Sequence, residues 1–216
     1  MINSKNKILI VSEYFYPEDF KITDVALYWS EKGYSVDILT LAPSYPEGKI
    51  YSGYKNRFYF EEKYQGITIH RLRTIQGYKK SILMKIIKYF WFMIYGSLWA
   101  IKNGNKYDFI FGYNAGPLTA MVPAALIKKI YKKPTTLWIQ DIWPDTVYAY
   151  GFKKKNITHY FLKSFSRFVY GNTTRFAVDS NGVESVLYNL IGSKREMKFI
   201  PYWPDGLNLD SRKFEF

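Results

Sequence analysis

The sequence predicts a doubly wound α/β fold, a mostly parallel Rossmann-like sheet with helices on both faces. Three observations lead there. Short apolar, β-leaning runs recur along the chain, segments with helical spacing separate them, and polar residues, glycine and proline gather where the runs end.

In chain order, KILIVS at 7–12 reads as a buried parallel strand, and 22–32 follows at helical spacing until Gly33 stops it. The loop between them, 13–24, carries Glu18, Asp19 and Lys21 and contains no glycine, which argues against a dinucleotide-binding turn. A second strand at 35–41 leads into a Pro/Gly/Tyr-rich loop, 42–54, with Tyr45 and Lys49. Residues 57–64 and 67–73 flank Gln65-Gly66 and alternate in polarity, predicting a hairpin whose second member enters the main sheet. A long aromatic-rich helix is predicted over 81–102. It is followed by a strand at 106–112 that ends at Tyr113 and Asn114, then a helix at 118–131 with Pro123 as a candidate kink. A strand at 134–139 ends in Gln140-Asp141, and Trp143-Pro144-Asp145 forbids its continuation. A helix at 156–170, a strand at 174–178, a helix at 180–190 and a strand at 198–200 complete the alternation.

Ligands of open α/β sheets bind beyond the carboxyl ends of the strands, so Gln140, Asp141, Trp143 and Asp145 read as a candidate site. The same residues also fit a helix cap at Asp145 and a core tryptophan at Trp143. Composition narrows the chemistry. The absence of cysteine excludes disulfides, thiolate metal sites and a cysteine nucleophile, and His70 and His159 are too isolated to form a zinc set, so no metal is assigned. The opening residues lack a signal-peptide core and cleavage site, which fits a cytoplasmic address. A formal charge of +13 points to an anionic partner: nucleic acid, an anionic membrane or a phosphorylated substrate. The lysines are scattered or sit beside helix ends instead of alternating with aromatics on one element, which disfavours nucleic acid.

The segment that begins at Tyr78 and ends at Lys102 is a candidate membrane-surface element. Its uncharged run is about 13 residues, short of the ~18 that a spanning helix needs, so it is expected to lie on a membrane. Lys79, Lys80, Lys85 and Lys88 beside Trp91, Phe92 and Tyr95 have the composition of a helix in the headgroup layer. At helical spacing Leu83, Ile87, Phe90, Ile94 and Leu98 can face the core, which leaves Trp91, Phe92, Tyr95 or Trp99 partly exposed near the lysines if the helix lies on a membrane. An ordinary core helix with solvated lysines is the alternative.

The blocks FYPEDFKITDVA (15–26), PSYPEGKIYSGY (43–54), GPLTAMVPA (116–124), WIQDIWPD (138–145), DSNGV (179–183) and FIPYWPD (199–205) span nearly the whole chain. In them the sequence resembles the N-terminal half of a bacterial family 4 glycosyltransferase, of the subgroup that assembles capsular, O-antigen or exopolysaccharide repeat units. The resemblance implies a GT-B enzyme with two Rossmann-like halves, the first shaping the acceptor site and the second holding the nucleotide-sugar. It implies an acceptor-binding domain over 1–200 and the start of an interdomain linker over 201–216, with the donor-binding domain outside this chain. The Glu-x7-Glu signature of the second half is absent here, so the chain alone is not expected to complete a turnover.

The implied reaction is a retaining transfer, without a cofactor, to a polyprenyl-diphosphate-linked saccharide at the inner face of the cell membrane. Asp141, Asp145 and Glu18 are the implied catalytic carboxylates, orienting hydroxyls or stabilising positive character at the sugar carbon for about 2–4 kcal/mol if well placed. Asp19, Lys21, Tyr45, Lys49, Tyr113, Asn114, Gln140 and Trp143 are the implied substrate contacts. Two departures from the family stand out. Many relatives carry a glycine pair where this chain has Glu18 to Ile22, and many place a histidine near Tyr113 and Asn114. A non-catalytic sugar- or partner-binding domain on the same fold stays open.

Overall fold

The computed structural model describes residues 6–149, 157–180 and 182–201. Strands β1 (Lys7–Ser12) and β2 (Ser35–Leu41) are joined by helix α1 (Ile22–Glu31). β1 is apolar because both of its faces are covered, and all of its residues after Lys7 are buried. Next come β3 (Tyr59–Tyr64), β4 (Ile67–Leu72), α2 (Ile82–Asn103) and β5 (Phe109–Asn114). A 3₁₀ turn at Leu118–Met121 leads into α3 (Val122–Tyr131), β6 (Thr135–Ile139) and the short α4 (Asp145–Ala149). α5 (Ile157–Gly171), β7 (Arg175–Val178), α6 (Val183–Ile191) and β8 (Glu196–Phe199) complete the described elements.

The sheet order is β3-β4-β2-β1-β5-β6-β7-β8, parallel throughout except for β3. The predicted hairpin forms, closed by Gln65 and Gly66 at φ 46° and 83°, a conformation that suits a tight hairpin turn. Its second strand enters the sheet parallel to β2, as the alternation indicated. α1 packs on one face over Ile8, Ile10, Ile38 and Phe111. α2, α3, α5 and α6 contribute Phe92, Ala124, Val169 and Leu187 to the core on the other face, with Leu9, Val11 and Leu137.

Several boundaries move. β5 runs through Tyr113 and Asn114 instead of ending before them, because both side chains are buried by neighbouring elements. Pro123 produces no kink. It sits in the first turn of α3, where its missing N–H is not needed by the helix. The stretch assigned to a linker, 201–216, lies outside the described residues beyond Pro201.

The aliphatic face of α2, Ile87 included, turns outward, contrary to the periodicity reading, and of the aromatics expected to be partly exposed Trp91, Tyr95 and Trp99 are so while Phe92 is buried. Leu83, Phe90, Ile94 and Leu98 are exposed, at 62%, 47%, 50% and 59%, while Lys88, Phe92, Gly96, Ser97 and Ala100 are buried. Small residues win the inner face because α2 lies close against α3: a Cβ added at Gly96 would stand 3.0 Å from Pro123 Cγ. Large aliphatic side chains would hold the two helices apart. By length and composition alone, Ile82–Lys106 suffices to cross a membrane, beyond what the uncharged run suggested.

Gly112 on β5 is a similar close approach, since an added Cβ would come within 2.3 Å of Leu137 Cδ2 and 2.8 Å of Met121 Sδ. Gly112→Ala is therefore expected to destabilise the fold by about 1–3 kcal/mol through overpacking. Urea unfolding should show a lower midpoint with an unchanged slope.

Candidate functional site

β1, β2, β5 and β6 are mutually parallel, so the stretches that follow them open on one edge of the sheet. The loop after β1 and the Gln140–Asp145 loop after β6 therefore share that edge. The described cis peptide bonds, Tyr16-Pro17, Tyr45-Pro46 and Trp143-Pro144, lie in the loops after β1, β2 and β6.

Glu18 is turned inward, 3% exposed. Its Oε1 accepts from the backbone N–H of Ser44 (2.8 Å) and of Tyr45 (2.7 Å), and its Oε2 from that of Phe15 (3.3 Å). Irregular loops leave such N–H groups without partners, and one carboxylate here satisfies three of them. Burial pushes its carboxyl above the ordinary range, against the opposing pull of the Tyr45 and Ser44 N–H groups and of Lys88. Glu18 thus clamps the β1 loop to the β2 loop. Arg71, fully buried on β4, does the same from beneath, donating to Glu62 Oε1 (2.7 Å), to the carbonyl of Leu41 (3.1 Å) and to that of Tyr16.

An aromatic cluster lies over this clamp. Tyr14 and Phe20 stack with centroids 4.8 Å apart, and Tyr45 leans on both at 5.0 and 5.2 Å. Phe20 meets Tyr113 edge-on at 6.5 Å, and the Tyr113 hydroxyl donates to Gln140 Oε1 at 3.3 Å. Glu18, Tyr45, Tyr113 and Gln140 are thereby joined by direct contacts. Asn114 Nδ2 donates to the carbonyl of Gly116 at 2.6 Å, and the Gln140 N–H donates to the carbonyl of Asn114 at 3.2 Å. Gln140 Nε2 and Asn114 Oδ1, both buried at this edge, make no hydrogen bond in the described structure. Buried amides are rarely left so.

Of the remaining candidates, Asp141 is half-buried, and burial and then the Asp179 carboxylate hold its carboxyl above the usual range. Asp145 is exposed in the first turn of α4. Trp143 packs against the core, and its backbone N–H donates to the Tyr170 hydroxyl at 3.1 Å, so it supports the loop. Asp19 and Lys49 are exposed on the same edge, and Lys21 is buried just before α1.

Glu13 and Lys88, which the sequence reading did not select as site residues, complete the site. Lys88, 1% exposed on α2, places Nζ 2.8 Å from Glu13 Oε1 and 3.1 Å from the Tyr14 hydroxyl, beneath the rings of Tyr14 and Tyr78. Its burial corrects its assignment to the membrane-facing lysines. The signal was its spacing: Lys88, Phe92, Gly96 and Ala100 recur every four residues along the packed face. Chemically, the edge offers an aromatic face, amide groups and carboxylates, a set suited to a polyhydroxylated ligand.

No protein-family model and no curated protein match this chain. Solved structures do resemble it. Sucrose-phosphate synthase from Thermosynechococcus elongatus superposes with a TM-score of 0.52 at 12% identity, covering 93% of this chain and 91% of that one. An E. coli structure described as trehalose-6-phosphate bound with UDP-2-fluoro glucose gives 0.54 at 10% identity, covering 91% of this chain. It is matched over 48% of its own length, so the chain spans about half of that protein. At these identities the likeness is one of fold, and the fold is that of the N-terminal domain of GT-B glycosyltransferases.

The ion pair and Asp141 give separate tests. Glu13→Gln or Lys88→Met alone is expected to cost about 3–5 kcal/mol in urea unfolding by stranding a buried partner, whereas Glu13→Leu with Lys88→Met costs less than either. Asp141 has a raised folded pKa, so its stabilising share is complete below the unfolded value of about 3.9 and is lost as pH rises through the folded value. Asp141→Asn should therefore gain in melting temperature on the unaltered protein between about pH 4 and about pH 7, as a thermal unfolding series would show.

Proposed function

We propose that this chain is the acceptor-binding half of a sugar-nucleotide-dependent, retaining glycosyltransferase. Its acceptor is a lipid-diphosphate-linked saccharide, and it acts in surface polysaccharide assembly on the cytoplasmic face of the membrane. The single observation that carries the reading is the juxtaposition of an exposed aliphatic helix face with the polar edge of a GT-B-type sheet. α2 begins at that edge, where the Tyr78 hydroxyl donates to the carbonyl of Ser44 and Lys88 meets Glu13. From there Ile82, Leu83, Ile86, Phe90, Ile94 and Leu98 continue as one exposed apolar stripe. A lipid-linked acceptor needs its tail in the bilayer and its sugar beside the strand ends. A helix lying in the headgroup layer at that edge brings both within reach. The inner face of α2, with Lys88 paired and Phe92 and Ala100 in the core, favours lying on the surface over crossing.

In this role the edge residues orient the acceptor. Asp141 and Asp145 accept hydrogen bonds from its hydroxyls or stabilise positive character at the transferred carbon, and Gln140 and Asn114 fix its position. The nucleotide-sugar binds the second domain. Expression of the full reading frame with a panel of nucleotide-sugars and a polyprenyl-diphosphate saccharide tests the activity, and absence of transfer with every donor refutes it.

The membrane contact is testable on the chain itself. A fully buried aliphatic or phenyl side chain is worth about 1.5–3 kcal/mol, so replacing Ile86, Phe90, Ile94 and Leu98 by serine should reduce flotation with anionic liposomes by more than about tenfold. Changing Lys79, Lys80 and Lys85 to glutamine should remove the salt-sensitive part of binding.

A further inference from the structure

We infer that Tyr45, supported by Phe20 and Tyr14, is a stacking platform for the apolar face of a pyranose ring. It forms the subsite that holds the acceptor's sugar next to Gln140 and Asn114. This inference rests on the glycosyltransferase reading and names how that site grips its substrate.

Tyr45 is 42% exposed and yet fixed at three points. Its N–H donates to Glu18 Oε1 at 2.7 Å, its carbonyl accepts from the Tyr51 hydroxyl at 2.6 Å, and its ring leans on Tyr14 and Phe20. The supporting rings are themselves occupied. Phe20 stacks on Tyr14, and Lys88 Nζ lies 4.5 Å from the Tyr14 centroid; both residues are half-buried, and Tyr45 is the most exposed of the trio. A large aromatic surface held rigid before binding loses little conformational freedom when a ligand covers it.

The chemistry of the surroundings selects the ligand class. The face of an aromatic ring carries partial negative charge and attracts the slightly positive C–H groups on one side of a pyranose, while it disfavours phosphate. Two ring contacts, of 5.2 and 6.5 Å, lead from Tyr45 through Phe20 to Tyr113, whose hydroxyl bonds Gln140. There the buried Gln140 Nε2 is a donor and the buried Asn114 Oδ1 an acceptor, both without a hydrogen bond in the described structure. A sugar hydroxyl both donates and accepts, so its chemistry matches both atoms. Tyr34, equally exposed at 41%, sits in the turn after α1, away from the strand ends that carry the amides, and serves as a control.

The test is ligand-observed NMR of the 216-residue chain with methyl β-glucoside, methyl β-galactoside, N-acetylglucosamine and uridine. At least one of the sugars should bind, with ring-current shifts on the protons of one sugar face. Tyr45→Ala should weaken that binding about tenfold, while Tyr45→Phe and Tyr34→Ala leave it within about twofold. The inference is overturned if no sugar binds, if Tyr45→Ala binds as the unaltered chain does, if Tyr45→Phe loses as much as Tyr45→Ala, or if uridine alone occupies Tyr45. The two readings fail separately. Transfer by the full-length protein that keeps its acceptor KM with Tyr45→Ala refutes the platform and leaves the transferase reading standing, whereas no transfer by the unaltered protein refutes the latter.

Discussion

A lysine ammonium removed from water has to find compensation, and at 1% exposure Lys88 finds it in Glu13, the Tyr14 hydroxyl and two aromatic rings. Much of the candidate site depends on that contact. It joins the second turn of α2 to the residue directly after β1, so the helix cannot rotate about its axis without stranding a carboxylate. It also positions Tyr14, on which Phe20 and Tyr45 rest. The loop above β1 is therefore braced from below by α2 and from the side by Glu18, while Arg71 pins its Tyr16 carbonyl. Three buried charges thus act on these loops, beside the core contacts of Phe15 and Phe20.

The parallel sheet explains why such bracing is concentrated at one edge. Parallel strands with right-handed crossovers bring successive loops to the same end, where backbone groups past the last ladder bond need new partners. Side chains supply them here: Glu18 for Ser44 and Tyr45, Asn114 for Gly116, and Tyr170 for Trp143. The opposite end of the sheet shows a different solution. There Asp37 gathers Lys7, Tyr107 and His70 around one carboxylate oxygen, and these hydrogen bonds outweigh burial and hold its carboxyl below the usual range.

The fold class and the parallel strands were legible because both follow from apolar runs that stop at polar residues. KILIVS, SVDILTL and TTLWI could hardly be anything but buried parallel strands, and the loops behind them could fall on only one edge. What the pattern hid was the identity of the inward-facing polar groups. Glu18 and Lys88 are charged, and charge alone reads as solvent-facing. Only three-dimensional neighbours reveal that a backbone clamp and an ion pair were waiting for them. On α2 the error had another source. Hydropathy weights large aliphatic residues as core, but the space beside α3 admits only residues such as Gly96, Ser97 and Ala100. Tyr113 and Asn114 were read as loop because asparagine is a turn former, yet the neighbouring strand ends extend β5 through both.

The outward face of α2 also shapes how the protein behaves away from its natural surroundings. A stripe of isoleucine, leucine and phenylalanine along 22 residues is a surface that water does not tolerate without consequence. In aqueous buffer, two copies can shield it from each other by antiparallel pairing of their α2 helices, and a mild detergent would compete with that pairing. Apparent molar mass in sizing experiments should then depend on protein concentration and on detergent.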